Sequence, residues 1–175
     1  LSDMIKFALK LGKPAAIRYP RGEAYDGLRD FRLPVELGKS EVIYEEEDIC
    51  LCAVGSMVRI AEQVRTRLKE MGYSCSLVNA RFVKPIDTET LERLSGDHRL
   101  FVTMEENVLS GGYGDHVRRY ISDADLPSQV LSIGIEDRYV EHGNADLLKQ
   151  ELGLDAESVA GRVVTKYISM MHDNR

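Results

Sequence analysis

The feature that most constrains the fold is an alternation of apolar runs and amphipathic helical stretches from about residue 41 onward. The run "DICLCAV" is almost continuously apolar, and "MVRIAEQVRTRLKEMG" after it repeats its apolar residues at helical spacing. Three more strand-like runs, "YSCSLVNA", "RLFVTMEE" and "PSQVLSIGI", are separated from one another by helical stretches. Strands that alternate with helices in this way form parallel sheets with helices on both faces. We therefore predict a three-layer α/β/α fold with a mainly parallel sheet.

Finer features follow from turns and caps. Only about two residues separate "VIYEE" from "DICLC", which predicts one antiparallel edge strand turning back into a central strand. Ser56 is predicted to cap the helix after that central strand, and Asp87 is predicted to cap a shorter helix further on. Two helices, at residues 144–152 and about 156–171, are expected to close the chain.

The first 33 residues have a different character. "LSDMIKFALKLG" predicts an amphipathic helix capped by Ser2 or Asp3, and residues 14–20, "PAAIRYP", predict a short buried strand ended by proline. The following "RGEAYDGLRDFRLPVELGKS" is polar, punctuated by glycine and typical of a linker. A helix and a strand without a sheet of their own are expected to be the remnant of a neighbouring domain, so we expect the chain to be truncated.

Composition excludes several classes of protein. The 175 residues carry a formal charge of −6 and no long basic run, so nucleic acid is a poor default partner. No apolar run approaches the roughly 20 residues that span a bilayer, so we expect neither a membrane partner nor a location outside the cytoplasm. The three cysteines form no CxxC pair and are expected to be buried free thiols; Cys50 and Cys52 share one face of a strand.

The most suggestive motif is "RYPRG". Pro20 ends the predicted strand and Gly22 allows the backbone to turn, which leaves Arg21 at the carboxyl end of that strand, where α/β proteins hold ligands. A guanidinium there can bind a phosphate or a carboxylate through two parallel hydrogen bonds. A surface or interface arginine paired with a nearby acid remains the alternative. Arg18 lies on the strand itself and is a weaker candidate.

Other motifs favour structural roles. In "NARFVKPID", Arg81 and Lys84 have the character of anion ligands, but a rigid connection that holds Phe82 and Val83 in the core is favoured. "MEENVLSGGYGD" places glycines before a helix, as phosphate loops do. The glycines fit no nucleotide fingerprint, and Glu105, Glu106 and Asp115 would repel an anion, so a tight structural turn or a subunit contact is favoured.

Neither the histidines nor the glycine in "AVGSMV" indicates a metal site or a cofactor site. The four histidines, His98, His116, His142 and His172, show no metal-ligand spacing, and structural or solvent-exposed roles are expected for them. "AVGSMV" has a single glycine and does not fit a nicotinamide site. No arrangement supplies a nucleophile with a nearby base, so no catalytic residue is predicted.

Six segments in this order and spacing resemble one family: "AIRYPRGEA", "LCAVGSMV", "VNARFVKPID", "VTMEENVLSGGYG", "IGIEDRYVEHG" and "ELGLDAESV". They are similar to the carboxyl-terminal portion of the 1-deoxy-D-xylulose-5-phosphate synthases, thiamine-diphosphate enzymes of the transketolase superfamily. The similarity covers nearly the whole chain, and "VNARFVKP" with "VTMEEN" is its most specific part. Departures are small: Tyr113 and Asp115 replace an expected phenylalanine and serine, and Met104 replaces a β-branched residue.

The resemblance implies a cytoplasmic, homodimeric, full-length enzyme that needs thiamine diphosphate and magnesium. It implies decarboxylation of pyruvate and transfer of the two-carbon unit to glyceraldehyde 3-phosphate, for isoprenoid, thiamine and pyridoxal synthesis. Residues 1–33 are then the tail of the pyrimidine-binding domain plus a linker, and residues 34–175 the transketolase C-terminal domain, which supplies dimer and domain contacts. Arg21 matches the family arginine that grips the substrate phosphate.

The family's catalytic groups lie elsewhere. Its GDG segment, its activating glutamate and its catalytic histidines lie upstream of the matched portion, so the isolated chain is expected to be inactive and to bind no cofactor. Three alternatives remain open: another superfamily enzyme, such as a transketolase or the beta subunit of a 2-oxo acid dehydrogenase; a non-catalytic association module; and an unrelated nucleotide-binding domain, which the missing glycine fingerprint disfavours.

Overall fold

The computed structural model describes residues 1–20, 25–28 and 30–173. Among them, six helices and five strands form in an alternating order. The helices are α1 (Ser2–Leu11), α2 (Met57–Glu70), α3 (Thr88–Ser95), α4 (Tyr113–Asp123), α5 (Ala145–Glu151) and α6 (Ala156–Asp173). The strands are β1 (Glu41–Tyr44), β2 (Asp48–Ala53), β3 (Cys75–Asn79), β4 (His98–Val108) and β5 (Gln129–Ile135).

The five strands form one sheet in the order β1-β3-β2-β4-β5. Strands β3, β2, β4 and β5 are mutually parallel, and β1 is antiparallel to its neighbour. Helices α2 and α6 cover one face of the sheet, and α3 and α4 cover the other. The predicted three-layer α/β/α fold with one antiparallel edge strand is therefore confirmed.

The antiparallel edge strand does not have the expected neighbour. β1 pairs with β3, which lies between β1 and β2. The connection from β1 to β2 passes the start of β3, where the N–H of Glu46 donates to Ser76 Oγ at 2.7 Å. A short connection does predict a reversal of direction, but its length does not reveal that a later strand inserts between the two.

The central strand β2 explains the apolar run in the sequence. Every residue of β2 after Asp48 is buried, because helices cover both of its faces. Its side chains alternate between the two cores: Ile49 and Leu51 pack under α2 and α6, while Cys50 and Cys52 pack under α3 and α4. Each large apolar side chain buried in this way contributes about 1.5–3 kcal/mol.

The three cysteines are buried and free, as predicted. The sulfur atoms of Cys50 and Cys52 lie 3.7 Å apart on one face of β2. Burial raises the pKa of the Cys75 thiol to about 12. Burial also raises the pKa of Cys50, and the neighbouring Cys52 adds to that shift. These thiols are therefore core residues of low reactivity.

The amino-terminal segment departs from the sequence prediction. Helix α1 forms, but it begins at Ser2 with Leu1 at the N-cap position, so neither Ser2 nor Asp3 caps it. Residues 14–20 form no strand and are mostly exposed. A strand needs a partner for its backbone hydrogen bonds, and no strand in the described ranges pairs with this segment. The predicted strand is therefore wrong, while residues 25–28 and 30–40 are irregular, as expected of a linker.

Among the residues that the structure describes, no helix combines the length and the apolar character needed to cross a bilayer.

Candidate functional site

The strand connections identify one place on the sheet, between β2 and β4, where a ligand site is expected. The connection from β2 through α2 leads to β3 on one side, and the connection from β4 through α4 leads to β5 on the other. The connections therefore diverge between β2 and β4, and in open α/β sheets such a point marks a crevice at the carboxyl ends of the two strands. Ligands of open α/β sheets bind at such points.

Three polar side chains meet at this crevice. Ser56, just after β2, donates from its hydroxyl to Glu106 Oε2 at 2.5 Å. Lys149 from α5 lies with its Nζ atom 2.6 Å from Glu106 Oε1. The Glu106 and Lys149 side chains keep 32% and 24% of their exposure, so the ion pair is half-buried. The carboxylate that faces the crevice is thus already bound by groups of the same chain.

Ser56 corrects one prediction. It occupies the N-cap position of α2, but its side chain makes no capping hydrogen bond and turns to Glu106 instead. A charged acceptor offers a stronger hydrogen bond than a neutral one. The cap predicted at Asp87 is confirmed, because its Oδ1 accepts the backbone N–H of Thr90 at 3.2 Å.

The glycine-rich segment before α4 surrounds a buried carboxylate. Glu105, at the end of β4, is fully buried. Its two oxygen atoms accept the backbone N–H groups of Tyr113 at 2.9 Å and Gly114 at 2.8 Å. A Cβ atom on Gly112 would lie 2.6 Å from Glu105 Oε1, so only glycine leaves room for this approach. The amino terminus of α4, where a phosphate would bind, is therefore filled by the chain's own anion.

The choice of a tight structural turn over a phosphate loop is confirmed by these contacts, and Asp115 strengthens the turn by accepting the N–H of Gly111 at 2.8 Å. The position that Glu105 takes was missed from the sequence. The sequence does contain a signal for this position: a charged residue ends a buried apolar strand, and glycines follow a few residues later where a helix begins. That pattern indicates a carboxylate bound at the start of the helix.

Arg81 makes internal contacts at the carboxyl end of β3. Its Nη2 atom lies 2.5 Å from Glu41 Oε1, and its Nη1 atom donates to the carbonyl of Pro34 at 3.2 Å. The same Glu41 oxygen accepts the N–H of Leu33 at 2.8 Å. Both side chains of the ion pair are nearly buried, at 11% and 5% exposure. This cluster fixes residues 33 and 34 to the sheet, which supports the structural interpretation of "NARFVKPID".

The side chains that follow Arg81 support that interpretation only in part, because Val83 packs against the core under α3 and α4 while Phe82 belongs to neither core. Phe82 and Val83 are half-buried, and the Phe82 ring meets the Phe7 ring of α1 edge-on, with centroids 5.7 Å apart. Lys84 is exposed. A shallow cleft of about 470 Å³ lies beside α1, and its polar lining is mostly basic: Asp3, Lys6, Lys10 and Arg32.

Arg21, the leading ligand candidate, lies outside the described residues. Arg18 is exposed. The expected roles of the histidines are confirmed: His116, His142 and His172 are exposed. His98 is buried, and its ring nitrogens lie 2.7 Å from the Leu94 carbonyl and 2.8 Å from Ser76 Oγ.

The described part of the chain offers no metal centre. It contains no group of three or more His, Cys, Asp or Glu side chains arranged to hold a metal ion. Two carboxylates near the carboxyl end of β4 are already bound within the chain, Glu105 by backbone amides and Glu106 by Lys149. These residues therefore do not fit a magnesium ion or a diphosphate group.

Comparison with known proteins identifies similar chains. The family described as "Transketolase, C-terminal domain" matches residues 38–159. A 1-deoxy-D-xylulose-5-phosphate synthase of Lachnoclostridium phytofermentans is 45% identical over 161 residues, which cover 91% of this chain and 26% of that protein. The synthase of Caldanaerobacter subterraneus is 39% identical over 97% of this chain and 27% of its own length. The chain thus spans about a quarter of the length of these relatives.

Solved structures agree with the fold. One described as "Split gene transketolase, inactive beta4 tetramer" has a TM-score of 0.69 and 28% identity, and the match covers 76% of this chain and 42% of that chain. A transketolase of Campylobacter jejuni has a TM-score of 0.52 and 14% identity over 73% of this chain and 18% of its own, which shows the fold alone.

Proposed function

The chain belongs to the family of transketolase C-terminal domains, and from this premise we propose that it is the carboxyl-terminal part of a 1-deoxy-D-xylulose-5-phosphate synthase. The observation that carries the proposal is its similarity to synthases over more than nine-tenths of its own length. That similarity includes the segments "VNARFVKPID" and "VTMEENVLSGGYG".

In this proposal the full-length protein is a cytoplasmic homodimer that uses thiamine diphosphate and magnesium. It condenses pyruvate, with loss of carbon dioxide, and glyceraldehyde 3-phosphate to 1-deoxy-D-xylulose 5-phosphate, which serves isoprenoid, thiamine and pyridoxal synthesis. Among the described residues, no group of three or more His, Cys, Asp or Glu side chains could hold a metal ion, and the Glu105 carboxylate is bound by backbone amides. On the resemblance to the family, we assign the cofactor and the metal to parts of the full-length enzyme outside this chain.

The proposed division of the chain places a domain boundary near residue 33. Residues 1–33 are the tail of the pyrimidine-binding domain plus a linker, and residues 34–175 are the transketolase C-terminal domain, with dimer and domain contacts as its contribution. Two observations support this division: α1 buries none of its residues, and the Glu41–Arg81 cluster holds the chain at residues 33 and 34.

Arg21 is the proposed ligand of the phosphate of glyceraldehyde 3-phosphate. A guanidinium binds phosphate through two parallel charge-assisted hydrogen bonds, which a lysine does not reproduce. In the full-length enzyme, Arg21→Lys should raise the KM for glyceraldehyde 3-phosphate by about tenfold or more, while the KM for pyruvate stays unchanged. Arg18→Lys is the matched control. Equal loss for both substrates, or no change, would refute the assignment.

The chain alone is proposed to be inactive, since none of the family's catalytic groups falls within it. The similarity to a split gene transketolase chain that forms an "inactive beta4 tetramer" supports this expectation. The test is to incubate purified 1–175 with pyruvate, glyceraldehyde 3-phosphate, thiamine diphosphate and magnesium, beside the full-length protein. Product from the full-length protein alone is expected. Turnover by 1–175 would overturn the proposal of inactivity.

The second candidate is another transketolase-superfamily enzyme, which the match to a split gene transketolase favours. Assays of the full-length protein with aldehyde acceptors and with lipoyl-domain acceptors distinguish the synthase, a transketolase and a 2-oxo acid dehydrogenase. An association module without catalysis predicts that 1–175 self-associates at micromolar concentration, which light scattering measures.

A further inference from the structure

Residues 136–151 run along the carboxyl edge of the sheet without contributing to either core. None of these sixteen residues is buried, and α5, which lies within the segment, has no buried side chain. Two of its large side chains point into solvent: Tyr139 is 98% exposed and Leu147 is 65% exposed. Segments with few buried apolar contacts open at low free energy.

Both ends of this segment are firmly attached. At one end, the carbonyl of Ile135 accepts the N–H of Leu109 at 2.9 Å, which joins β5 to the residue after β4. At the other end, Leu154 is buried in the core under α6, and Gly153 has a φ of +65°. The segment is therefore a strap, fixed at its ends and free of core contacts between them.

A single polar contact holds the strap against the sheet. Within the described ranges, the Lys149–Glu106 ion pair is the one ion pair or side-chain hydrogen bond that joins residues 136–151 to any other part of the chain. The remaining polar contacts of the strap are internal, such as the Asn144 side chain that caps α5 and the Arg138–Glu136 pair. Of its apolar side chains, Val140 and Leu148 are half-buried.

The ion pair lies at the point where the strand connections diverge. Glu106 belongs to β4 and accepts the hydroxyl of Ser56 from the end of β2, so Lys149 places α5 against the crevice between these two strands. Gly55, beside Ser56, has open space around the position of a Cβ atom. Glu106 is partly exposed while the ion pair is formed, and opening of the pair would release its carboxylate and expose it further.

We propose that residues 136–151 form a lid over the crevice between the carboxyl ends of β2 and β4, and that the Lys149–Glu106 ion pair is its latch. The lid opens by hinging at its two attached ends while both cores stay intact. The inference rests on the fold alone and does not depend on the proposed enzymatic activity.

Hydrogen exchange measured by mass spectrometry tests this lid. Lys149→Met keeps most of the length of the side chain and removes its charge. The amides of residues 144–151 should then exchange about three to five times faster, while amides of β2 and β4 keep their rates. In the unmodified chain, salt at about 1 M should accelerate the same amides by a smaller factor, because the ion pair is short and half-buried and is therefore only partly screened. Lys39→Met, which removes the Lys39–Glu89 pair elsewhere, is the matched control.

A charge swap makes the test specific. Lys149→Glu alone should accelerate exchange at residues 144–151, and the added Glu106→Lys should restore protection, because the pair is reformed with opposite polarity. A second readout uses the absence of tryptophan from the chain: with Tyr139→Trp, the introduced indole should show lower fluorescence anisotropy when Lys149→Met is added.

The hydrogen-exchange results distinguish three cases. Local acceleration with rescue by the swap supports the lid. Unchanged exchange in Lys149→Met shows that contacts other than the ion pair hold the segment and overturns the latch. Acceleration that spreads into β2 and β4 shows that the segment is part of the core unit and overturns the lid.

Discussion

The buried carboxylate under α4 provides the sharpest test of how the fold is held together. Glu105 is fully buried, and it accepts the N–H groups of Tyr113 and Gly114 at 2.9 and 2.8 Å. Glu105→Ala removes both acceptors and leaves two buried donors at the amino terminus of a helix. No nearby carboxylate of the described chain replaces them, because Asp115 is bound to Gly111.

The expected cost follows from these contacts. A buried N–H group without a partner costs about 1–3 kcal/mol, and loss of a negative charge at a helix amino terminus costs about 0.3–1 kcal/mol more. The free energy of unfolding should therefore fall by about 2–7 kcal/mol in Glu105→Ala. Glu105→Gln keeps one acceptor oxygen and should lose about 2 kcal/mol. Since domains are stable by about 5–15 kcal/mol, both losses are large enough to measure.

Urea unfolding followed by circular dichroism measures these losses, with Glu106→Gln as the matched control. Glu106 is the adjacent, half-exposed carboxylate, and its loss should cost at most about 1 kcal/mol. A second readout is formate, an anion of the size of the missing carboxylate: added formate should stabilise Glu105→Ala and leave the unmodified chain unchanged. If Glu105→Ala lies within about 1 kcal/mol of the unmodified chain, the two hydrogen bonds do not stabilise the fold as argued.

Three further outcomes are expected. Burial raises the pKa of Glu46, but hydrogen bonds from Lys69 and the Cys75 N–H and the Arg65 charge lower it by more, so its net pKa lies below 4.5. The stabilisation by Glu46 is therefore present above about pH 4.5 and is lost as the pH falls through the pKa of the folded state. At neutral pH, the unfolding free energies of Glu46→Gln and of the unmodified chain should differ by about 1–2 kcal/mol, and in acid the two values should converge. The control Glu47→Gln should show no such difference. Gly114→Ala would place a methyl group 2.6 Å from Thr103 Oγ1 and 2.7 Å from Ser132 Oγ, so it should lower the free energy of unfolding by about 1–3 kcal/mol. Gly161→Ala is the control: the position lies in α6 with open space around it, and the substitution should raise the free energy of unfolding slightly in the same urea titrations. The buried thiols should react with a thiol reagent no faster than the chain unfolds; rapid modification of the native chain would contradict the burial of Cys50, Cys52 and Cys75.

The central part of the fold is predictable from the sequence because local patterns and tertiary packing agree there. The helical spacing of α2 and the continuous apolar run of β2 reflect faces that are in fact covered. Asn144 and Asp87 cap their helices, as short polar side chains at such positions do.

The parts that were not predicted depend on contacts between distant segments. The neighbour of β1 is set by the later insertion of β3, which no turn signal encodes. Lys149 meets Glu106 from a separate helix, and nothing in either local sequence indicates that pairing. Residues 14–20 have strand-like composition, but a strand forms only where another strand offers hydrogen bonds. The assignment of Arg21 stays a prediction, since it lies outside the described residues.

The charges at the carboxyl edge argue against a nucleotide-binding domain on physical grounds. Such a domain holds phosphate at a helix amino terminus and at the crevice where strand connections diverge. Here the first position contains the buried Glu105 carboxylate, and the second contains Glu106, which Ser56 and Lys149 already bind. A phosphate would have to displace one carboxylate or lie beside the other, and like charges in contact repel strongly. The proposal for Arg21 accordingly places phosphate binding away from both of these positions.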